Sequence, residues 1–342
     1  MFENFYGNAL TAAALEHMIE ADRIPQTILL AGPEGVGKAT LVRRVASRLL
    51  GSPEKIEQDD LSREENRALL AEREKWPSER RADDPLLFAT HPDFVTFCPE
   101  GPLRQISIQQ MRLVKERSHL RPLKGAWRVF LIDQIDRASV QAADSLLKTL
   151  EEPPSHLLLF LTAGNPYDLP PTIRSRSVQF HLSPLSDEEM RKFCVARDLP
   201  DAGRRIALAG GCPGLAATLD LEVYEKRRAL ALALLESAAG EAPFVDWVKK
   251  SESFLASKTE KLDLYFKPLY SLLEDIMMLA HGGGRIRNSD IAPALQRLAS
   301  RVSFEWIRTA AARIDEMVGL QRRNVQKGLT LDSFVVTQRT AR

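Results

Sequence analysis

Through residues 8–22, apolar positions recur at helical spacing (Leu10, Ala13, Leu15, Met18, Ile19), and the run stops at Arg23-Ile24-Pro25. The pattern then changes. Thr27-Ile28-Leu29-Leu30-Ala31 is a short unbroken apolar run that predicts a buried strand. A glycine-rich turn follows from Gly32 to Lys38, and an amphipathic helix from Ala39 to Leu50. Further strand patterns lie at 94–97, 127–133, 157–162 and 178–182, separated by helical patterns at 106–120 and 138–150. Continuous apolar strands alternating with helices predict an α/β domain whose parallel sheet is covered on both faces. Beyond Pro184 the strand signal disappears, and Ser186-Asp187-Glu188-Glu189 has the form of a capping box. Helical patterns continue to the end, broken near Gly210-Gly211, Gly240 to Pro243 and Gly282-Gly283-Gly284. The expected organisation is an α/β domain over 1–183, a small helical domain over 184–236 and an all-helical domain over 237–342.

Within the first domain, residues 52–85 depart from this pattern. Asp59-Asp60, Arg63-Glu64-Glu65, Glu72-Arg73-Glu74-Lys75 and Glu79-Arg80-Arg81 dominate a segment with few apolar anchors. Mixed charge of this kind predicts a solvated surface helix or a mobile insertion, with a partner-docking element as the alternative. The whole chain, at 342 residues with 44% hydrophobic and 27% charged content, has ample material for more than one core. A formal charge of +1 argues against a chain that wraps nucleic acid alone by bulk electrostatics. Cys98, Cys194 and Cys212 lie far apart without a C-x-x-C spacing, so neither zinc nor a disulfide framework is expected. The acidic start at Met1-Phe2-Glu3-Asn4-Phe5 is unlike a signal peptide, and no apolar run has the length of a membrane span. A cytoplasmic protein without membrane contact is expected.

The chemistry begins at Gly32-Pro33-Glu34-Gly35-Val36-Gly37-Lys38. Glycines at these positions let backbone N–H groups turn toward a phosphate, and the helix that follows aims its positive end there. Lys38 supplies a charge for terminal phosphates. The next position is Ala39, where a phosphate loop normally carries a Ser or Thr whose hydroxyl ligates magnesium. Thr40 lies one step on and about 100° around the helix, a poor substitute. Asp133 ends an apolar strand, where a carboxylate can hold magnesium, but Gln134 follows it, and an amide cannot act as a general base at neutral pH. The nucleotide-binding set is therefore Gly32, Gly35, Val36, Gly37, Lys38, Ala39, Thr40 and Asp133. These residues are compatible with ATP, with ADP or with an empty pocket; any magnesium would be held weakly, and no zinc is expected.

Several segments together resemble the bacterial DNA polymerase III clamp-loader family, which is of the AAA+ class. They are Gly35-Val36-Gly37-Lys38, His91-Pro92-Asp93, the run from Ala143 through Leu146-Leu147-Lys148-Thr149-Leu150-Glu151-Glu152-Pro153-Pro154, and Leu169-Pro170-Pro171-Thr172-Ile173-Arg174-Ser175-Arg176. The second domain adds its Gly-Gly-Cys-Pro-Gly turn, and Leu320-Gln321-Arg322-Arg323-Asn324-Val325 adds a weaker match near the end. Within that family the gamma/tau motor hydrolyses ATP and the delta-prime type sits beside it. Four departures favour delta-prime: Ala39 and Gln134, Gly164 in place of a polar sensor (with Asn165 beside it), and a lid turn Gly211-Cys212-Pro213-Gly214 without an arginine.

The resemblance implies an AAA+ domain, a helical lid and a helical collar that packs in a hetero-pentameric ring with gamma/tau and delta subunits. Through that complex the chain would meet the sliding clamp and primer-template DNA. Ser175-Arg176-Ser177 is similar to the family's Ser-Arg-Cys motif, which implies that Arg176 is an arginine finger acting on the neighbour's nucleotide. Such a chain is a component of the polymerase holoenzyme rather than a polymerase or an efficient ATPase. The alternatives are a competent gamma/tau-type ATPase, a small-molecule kinase using Lys38, and an unrelated DNA-repair ATPase. In some family members a cysteine-based zinc module follows the first phosphate-loop helix; residues 52–85 stand at that place without a cysteine.

Overall fold

A computed structural model of the chain describes residues 2–256, 262–284, 286–320 and 326–340. The chain divides into two compact units, Met1–Ala202 with Gly211–Thr218, and Gly203–Gly210 with Leu219–Arg342.

In the first unit, α1 (Ala9–Glu20), β1 (Thr27–Ala31) and α2 (Lys38–Leu50) are followed by three short helices, α3 (Pro53–Gln58), α4 (Glu64–Arg73) and α5 (Ser78–Asp83). Then come β2 (Phe94–Phe97), α6 (Ile108–Ser118), β3 (Arg128–Ile132), α7 (Val140–Glu151), β4 (Leu157–Ala163), α8 (Pro171–Arg174), β5 (Val178–His181) and α9 (Asp187–Ala196). Helix α10 (Ala202–Ala209) belongs mostly to the second unit, and α11 (Pro213–Thr218) returns to the first. The five strands form one parallel sheet in the order β2-β3-β4-β1-β5.

Strand side chains alternate between the two faces of this sheet. Ile28, Leu30, Val129, Leu131, Leu158 and Phe160 pack with Leu15 of α1 and Leu41, Val42 and Val45 of α2. Leu29, Phe130, Ile132, Leu159 and Leu161 face the other way, onto Met111 and Val114 of α6 and Leu146 and Leu150 of α7. Because both faces are buried, the strands read as continuous apolar runs, and the α/β class expected from the sequence is the class observed. The edge strand β5 is largely exposed. Serine caps fix several helix starts: Ser107 and Ser186 each form a full capping box, with Gln110 and Glu189 respectively. The His91-Pro92-Asp93 segment is a buried anchor, in which the Asp93 carboxylate accepts the Leu123 and Lys124 N–H groups at 2.8 Å each.

Residues 52–85 form mostly exposed surface helices, as the mixed charge predicts, and they are anchored by Ile56, Leu61, Leu69 and Leu70 together with a few buried charged side chains. Arg73 is buried and donates to Glu100 at 2.8 Å, with side-chain exposures of only 4% and 3%. Glu100 also accepts the Leu86 N–H, and Arg73 reaches Asp84 as well. The Trp76 ring is flanked by two guanidinium groups, Arg80 at 3.6 Å and Arg73 at 4.5 Å from its centroid. At the other end of the segment Asp59 is buried and accepts from both the N–H and the hydroxyl of Thr90. Arg43 of α2 pairs with Glu57 at 3.2 Å and Asp60 at 2.6 Å.

The second unit is helical: α12 (Leu221–Ala238), α13 (Phe244–Ala256), α14 (Asp263–Ala280), α15 (Ala292–Ala299), α16 (Phe304–Leu320) and α17 (Lys327–Thr340) follow α10. Its core gathers Trp247, Phe254, Phe266, Leu269, Leu272, Ile276, Leu295, Trp306 and Phe334. Helix α17 is pinned by polar contacts: Trp306 Nε1 donates to the Gln338 carbonyl and Gln338 Nε2 to the Trp306 carbonyl. The Leu320–Val325 motif lies, beyond Leu320, outside the described residues. Among the described residues no helix is long and apolar enough to cross a membrane.

Removing one partner of a buried ion pair leaves the other charge uncompensated. Arg73→Ala should therefore destabilise the docked 52–85 segment by about 3–5 kcal/mol. The double change Arg73→Met with Glu100→Gln should cost much less. Urea denaturation together with limited proteolysis of the segment measures both; equal losses for the two variants would show that the pair is not an anchor.

Candidate functional site

The carboxyl ends of β1, β3 and β4, three neighbouring strands, converge on a cavity of about 340 Å³, within the usual range of about 300–1,000 Å³ for small-molecule sites. The turn after β1 supplies Glu34, Gly35, Val36 and Gly37, and α2 supplies Lys38, Ala39, Thr40 and Arg43. From the turn after β3 come Asp133, Gln134 and Asp136, and from the end of β4 comes Gly164. The sequence-predicted binding residues Gly35, Val36, Gly37, Lys38, Ala39, Thr40 and Asp133, with Gln134 and Gly164, thus line one space. Gly32 stands at the base of the turn, its N–H bonded to the Ala163 carbonyl at 3.2 Å.

Two glycine positions are dictated by close backbone approach. At Gly32, φ is +147° and a Cβ would lie 2.3 Å from the Leu182 carbonyl oxygen. At Gly35, φ is +78° and a Cβ would lie 2.8 Å from the Leu215 nitrogen. Gly214 meets Gly35 from the other side, donating its N–H to the Gly35 carbonyl at 2.8 Å. Helix α11 is thereby seated on the phosphate loop, and Pro213, Gly214 and Ala217 become part of the cavity wall.

Lys38 folds back over the turn, with Nζ donating to the Gly32 carbonyl at 2.6 Å and the Pro33 carbonyl at 2.9 Å. Burial pushes its ammonium below the ordinary lysine value, while Asp133, Asp136 and Glu34 pull the other way. Asp133 is also buried, and burial pushes its carboxyl above the ordinary range against the Thr162 hydrogen bond and the nearby charges of Lys38 and Arg43. A relay fixes this corner: the Gln134 N–H donates to Thr162 Oγ1 at 2.8 Å, and that hydroxyl donates to Asp133 Oδ1 at 2.6 Å. Gln134 itself adopts a left-handed backbone, φ +55°. The Gly164 N–H donates to Asp136 Oδ2 at 3.1 Å, which brings a carboxylate to the end of β4.

A glycine-rich turn, one ammonium and a helix start on one cavity suit a phosphate chain. The hydroxyl that normally holds magnesium is absent at Ala39, and Thr40 Oγ1 instead faces Arg43 Nη2 at 3.4 Å. Asp133 and Asp136 are the carboxylates left to hold a cation beside such a phosphate. Among the described residues no three His, Cys, Asp or Glu side chains are grouped to hold a metal ion, and all three cysteines are buried.

Several cavity residues carry no signal in the sequence that points to the site. Phe5 and Tyr6 approach from the N-terminal segment, and the Tyr6 ring meets Phe193 of α9 edge-on at 5.5 Å. Arg197, just after α9, brings a guanidinium to the wall although the 211–214 turn has none. Asp60, Leu61 and Ser62 of the charged segment close another side. Asp136 had one weak signal, its place three residues after Asp133.

Arg176 is not among the cavity-lining residues. It follows α8 with its side chain a third exposed, donates to Glu151 at 2.7 Å and to the Thr172 carbonyl at 3.0 Å, and belongs to no part of this chain's own pocket.

A family model described as DNA polymerase III, delta subunit, matches residues 7–186, just over half of the chain. The chain is similar to the DNA polymerase III subunit delta-prime of Escherichia coli, 30% identical over 63% of this chain and 63% of that protein. The delta-prime subunit of Pseudomonas aeruginosa is 32% identical over 59% of this chain and 57% of its own length. A tau subunit, from Salmonella typhimurium, is 27% identical over 56% of this chain and 26% of that protein. The chain thus spans less than two thirds of the length of these curated relatives. On the match over residues 7–186, with the phosphate loop, the parallel sheet and the Leu146–Pro154 run inside it, the chain belongs to the DNA polymerase III delta-subunit family, as a clamp-loader subunit of the delta-prime type.

Proposed function

We propose that this chain serves in a cytoplasmic clamp-loader ring as the subunit that lends a guanidinium to its neighbour. In this reading Arg176 is the arginine finger for an adjoining ATPase subunit of the gamma/tau kind, while this chain's own pocket grips ATP or ADP and hydrolyses it weakly or not at all. The single observation that carries the reading is the separation of tasks: Arg176 stands outside the chain's own cavity and a third exposed, whereas the cavity pairs a phosphate loop with Ala39 and Gln134. A guanidinium placed there has no phosphate of its own to act on. The delta-prime and tau relatives support the kind of assembly, with delta, the sliding clamp and primer-template DNA as further partners in the proposal.

The loss of chemistry in the pocket has a simple physical basis. The backbone at Gln134 is already held by Thr162, which also holds Asp133. Only the side chain differs from a carboxylate, and an amide does not take a proton from water. Magnesium would be held by Asp133, Asp136 and the nucleotide, without the hydroxyl that Ala39 lacks.

The complete glycine turn and Lys38 favour a second reading, a competent gamma/tau-type ATPase. Steady-state ATP turnover by the isolated chain separates the two, since brisk hydrolysis abolished in Lys38→Ala selects the motor.

Arg176→Ala should leave the chain folded and assembled while removing the DNA-stimulated hydrolysis at the one site it serves. Fingers contribute about 10³–10⁵ in rate, so that site's share of the reconstituted complex's ATPase should vanish. Unchanged complex activity would remove the finger from the account. Gln134→Glu in the isolated chain should bring no turnover above background, because the magnesium hydroxyl is still missing at Ala39; robust single-mutant hydrolysis would contradict this.

Nucleotide affinity should also depend on Lys38 protonation. Burial lowers the Lys38 pKa from 10.5 in the free chain, and a bound phosphate raises it again. Binding is then fully supported below the free-state value and weakens as pH rises from that value toward the bound-state one, with a proton taken up in this window. Calorimetric ADP titrations in two buffers of different ionisation enthalpy read the uptake. Affinity that stays flat to pH 10.5, or that Lys38→Met leaves intact, would argue against phosphate contact by this ammonium.

A further inference from the structure

Three charged side chains of the Leu146–Pro154 run, Lys148, Glu151 and Glu152, are exposed and used by neither the core nor the cavity, and Glu151 among them pairs with another element. Leu146, Thr149 and Leu150 are buried, and the Pro153 and Pro154 carbonyls accept from Gln26 Nε2 at 3.4 and 2.8 Å. Glu151 is different: it is the last residue of α7, and its side chain is 50% exposed. A carboxylate at a helix C-terminus faces the negative end of the helix dipole, an unfavourable place for it. Its compensating partner is Arg176, whose Nη2 donates to Glu151 Oε1 at 2.7 Å. The other amino group of Arg176 donates to the Thr172 carbonyl at 3.0 Å and approaches Ser175 Oγ at 3.4 Å. These contacts fold the guanidinium back along α7 and α8.

We propose that Glu151 is a positioning residue for the finger, a resting partner that holds Arg176 against its own chain until a neighbour's phosphate displaces it. The inference rests on the reading of Arg176 as a finger. Because the pair is open to water, it is weak and readily exchanged. A terminal phosphate carries more negative charge than a carboxylate and offers the same planar donor fork a better set of acceptors. Exchange needs only rotation of the arginine side chain. When the ring is loose and the neighbour's nucleotide is distant, the pair keeps the finger off the reaction path. When the subunits close, the phosphate outcompetes Glu151, and the pair no longer affects the rate.

The test is the ATPase of the clamp-loader complex reconstituted with full-length subunits from the same source, with and without clamp and primer-template DNA. Glu151→Ala should raise the DNA-independent rate about two- to fivefold, the size expected for loss of one exposed ion pair. It should leave the DNA-stimulated rate essentially unchanged. Glu151→Gln, which keeps an acceptor but no charge, should give a smaller rise. The double variant with Arg176→Ala should behave as Arg176→Ala alone, since without the finger there is nothing to hold. A DNA-stimulated rate that falls in Glu151→Ala would make Glu151 a presenter of the finger and overturn the resting role. Unchanged rates in both Glu151 variants, with Arg176→Ala still impaired, would overturn it too while leaving the finger in place. Only an inert Arg176→Ala would remove the finger itself.

Discussion

The Gly214 N–H bonded to the Gly35 carbonyl at 2.8 Å is the constraint on which the site depends. A Cβ at Gly35 would stand 2.8 Å from the Leu215 nitrogen on a backbone with φ +78°, so this position excludes a side chain, and one at Gly214 would be tight, 3.0 Å from the Gly35 oxygen. Two peptide backbones meet here without intervening atoms. The contact makes α11 a wall of the cavity beside the turn that Lys38 folds over. That lysine is itself buried, which lowers its proton affinity. Within the Gly-Gly-Cys-Pro-Gly turn, Gly214 answers to the phosphate loop, whereas Gly211, with φ +78°, is confined by the Leu185 backbone.

Around this contact the chain holds charges in place through hydroxyl and amide groups. Thr162 bridges Asp133 and the Gln134 backbone, and Asp136 takes the Gly164 N–H. These bonds involve main-chain or neighbouring groups that a glutamate at position 134 would leave as they are. The departure from an ATPase pattern at that position is therefore chemical and local. The loop keeps its shape while the group that would accept a proton from water is missing.

Much of this was legible in the sequence because its signals are local. The buried strands announced themselves through unbroken runs such as Leu157–Thr162, and Ser186 with Glu189 announced a helix start. Gly32 to Lys38 marked the phosphate loop because its backbone geometry needs specific residue types. Phe5, Tyr6, Phe193 and Arg197 were illegible for the opposite reason, since ordinary core and surface residues become cavity lining only through the meeting of distant segments. The buried pairs of the charged segment 52–85 were not legible, because charge along a sequence does not disclose its partner: Arg73 finds Glu100 across 27 residues, buried on both sides. The meaning of Glu151 was hidden in the same way, since only the fold brings it to Arg176.

That segment also bears on how the nucleotide pocket is assembled. Arg43 sits on the face of α2 one turn beyond Ala39 and Thr40, and its guanidinium spans Glu57, Asp60 and Thr40. Asp60 in turn accepts both the N–H and the hydroxyl of Ser62, which orders the stretch that closes the cavity. One buried arginine thus ties the phosphate-loop helix to the wall opposite it. A pair of carboxylates around a buried guanidinium is geometrically demanding, because each added partner must satisfy donors that cannot reach water. The charged composition of 52–85 is in this respect the means by which a polar insertion becomes a fixed part of the pocket, achieved with ion pairs where apolar anchors are scarce.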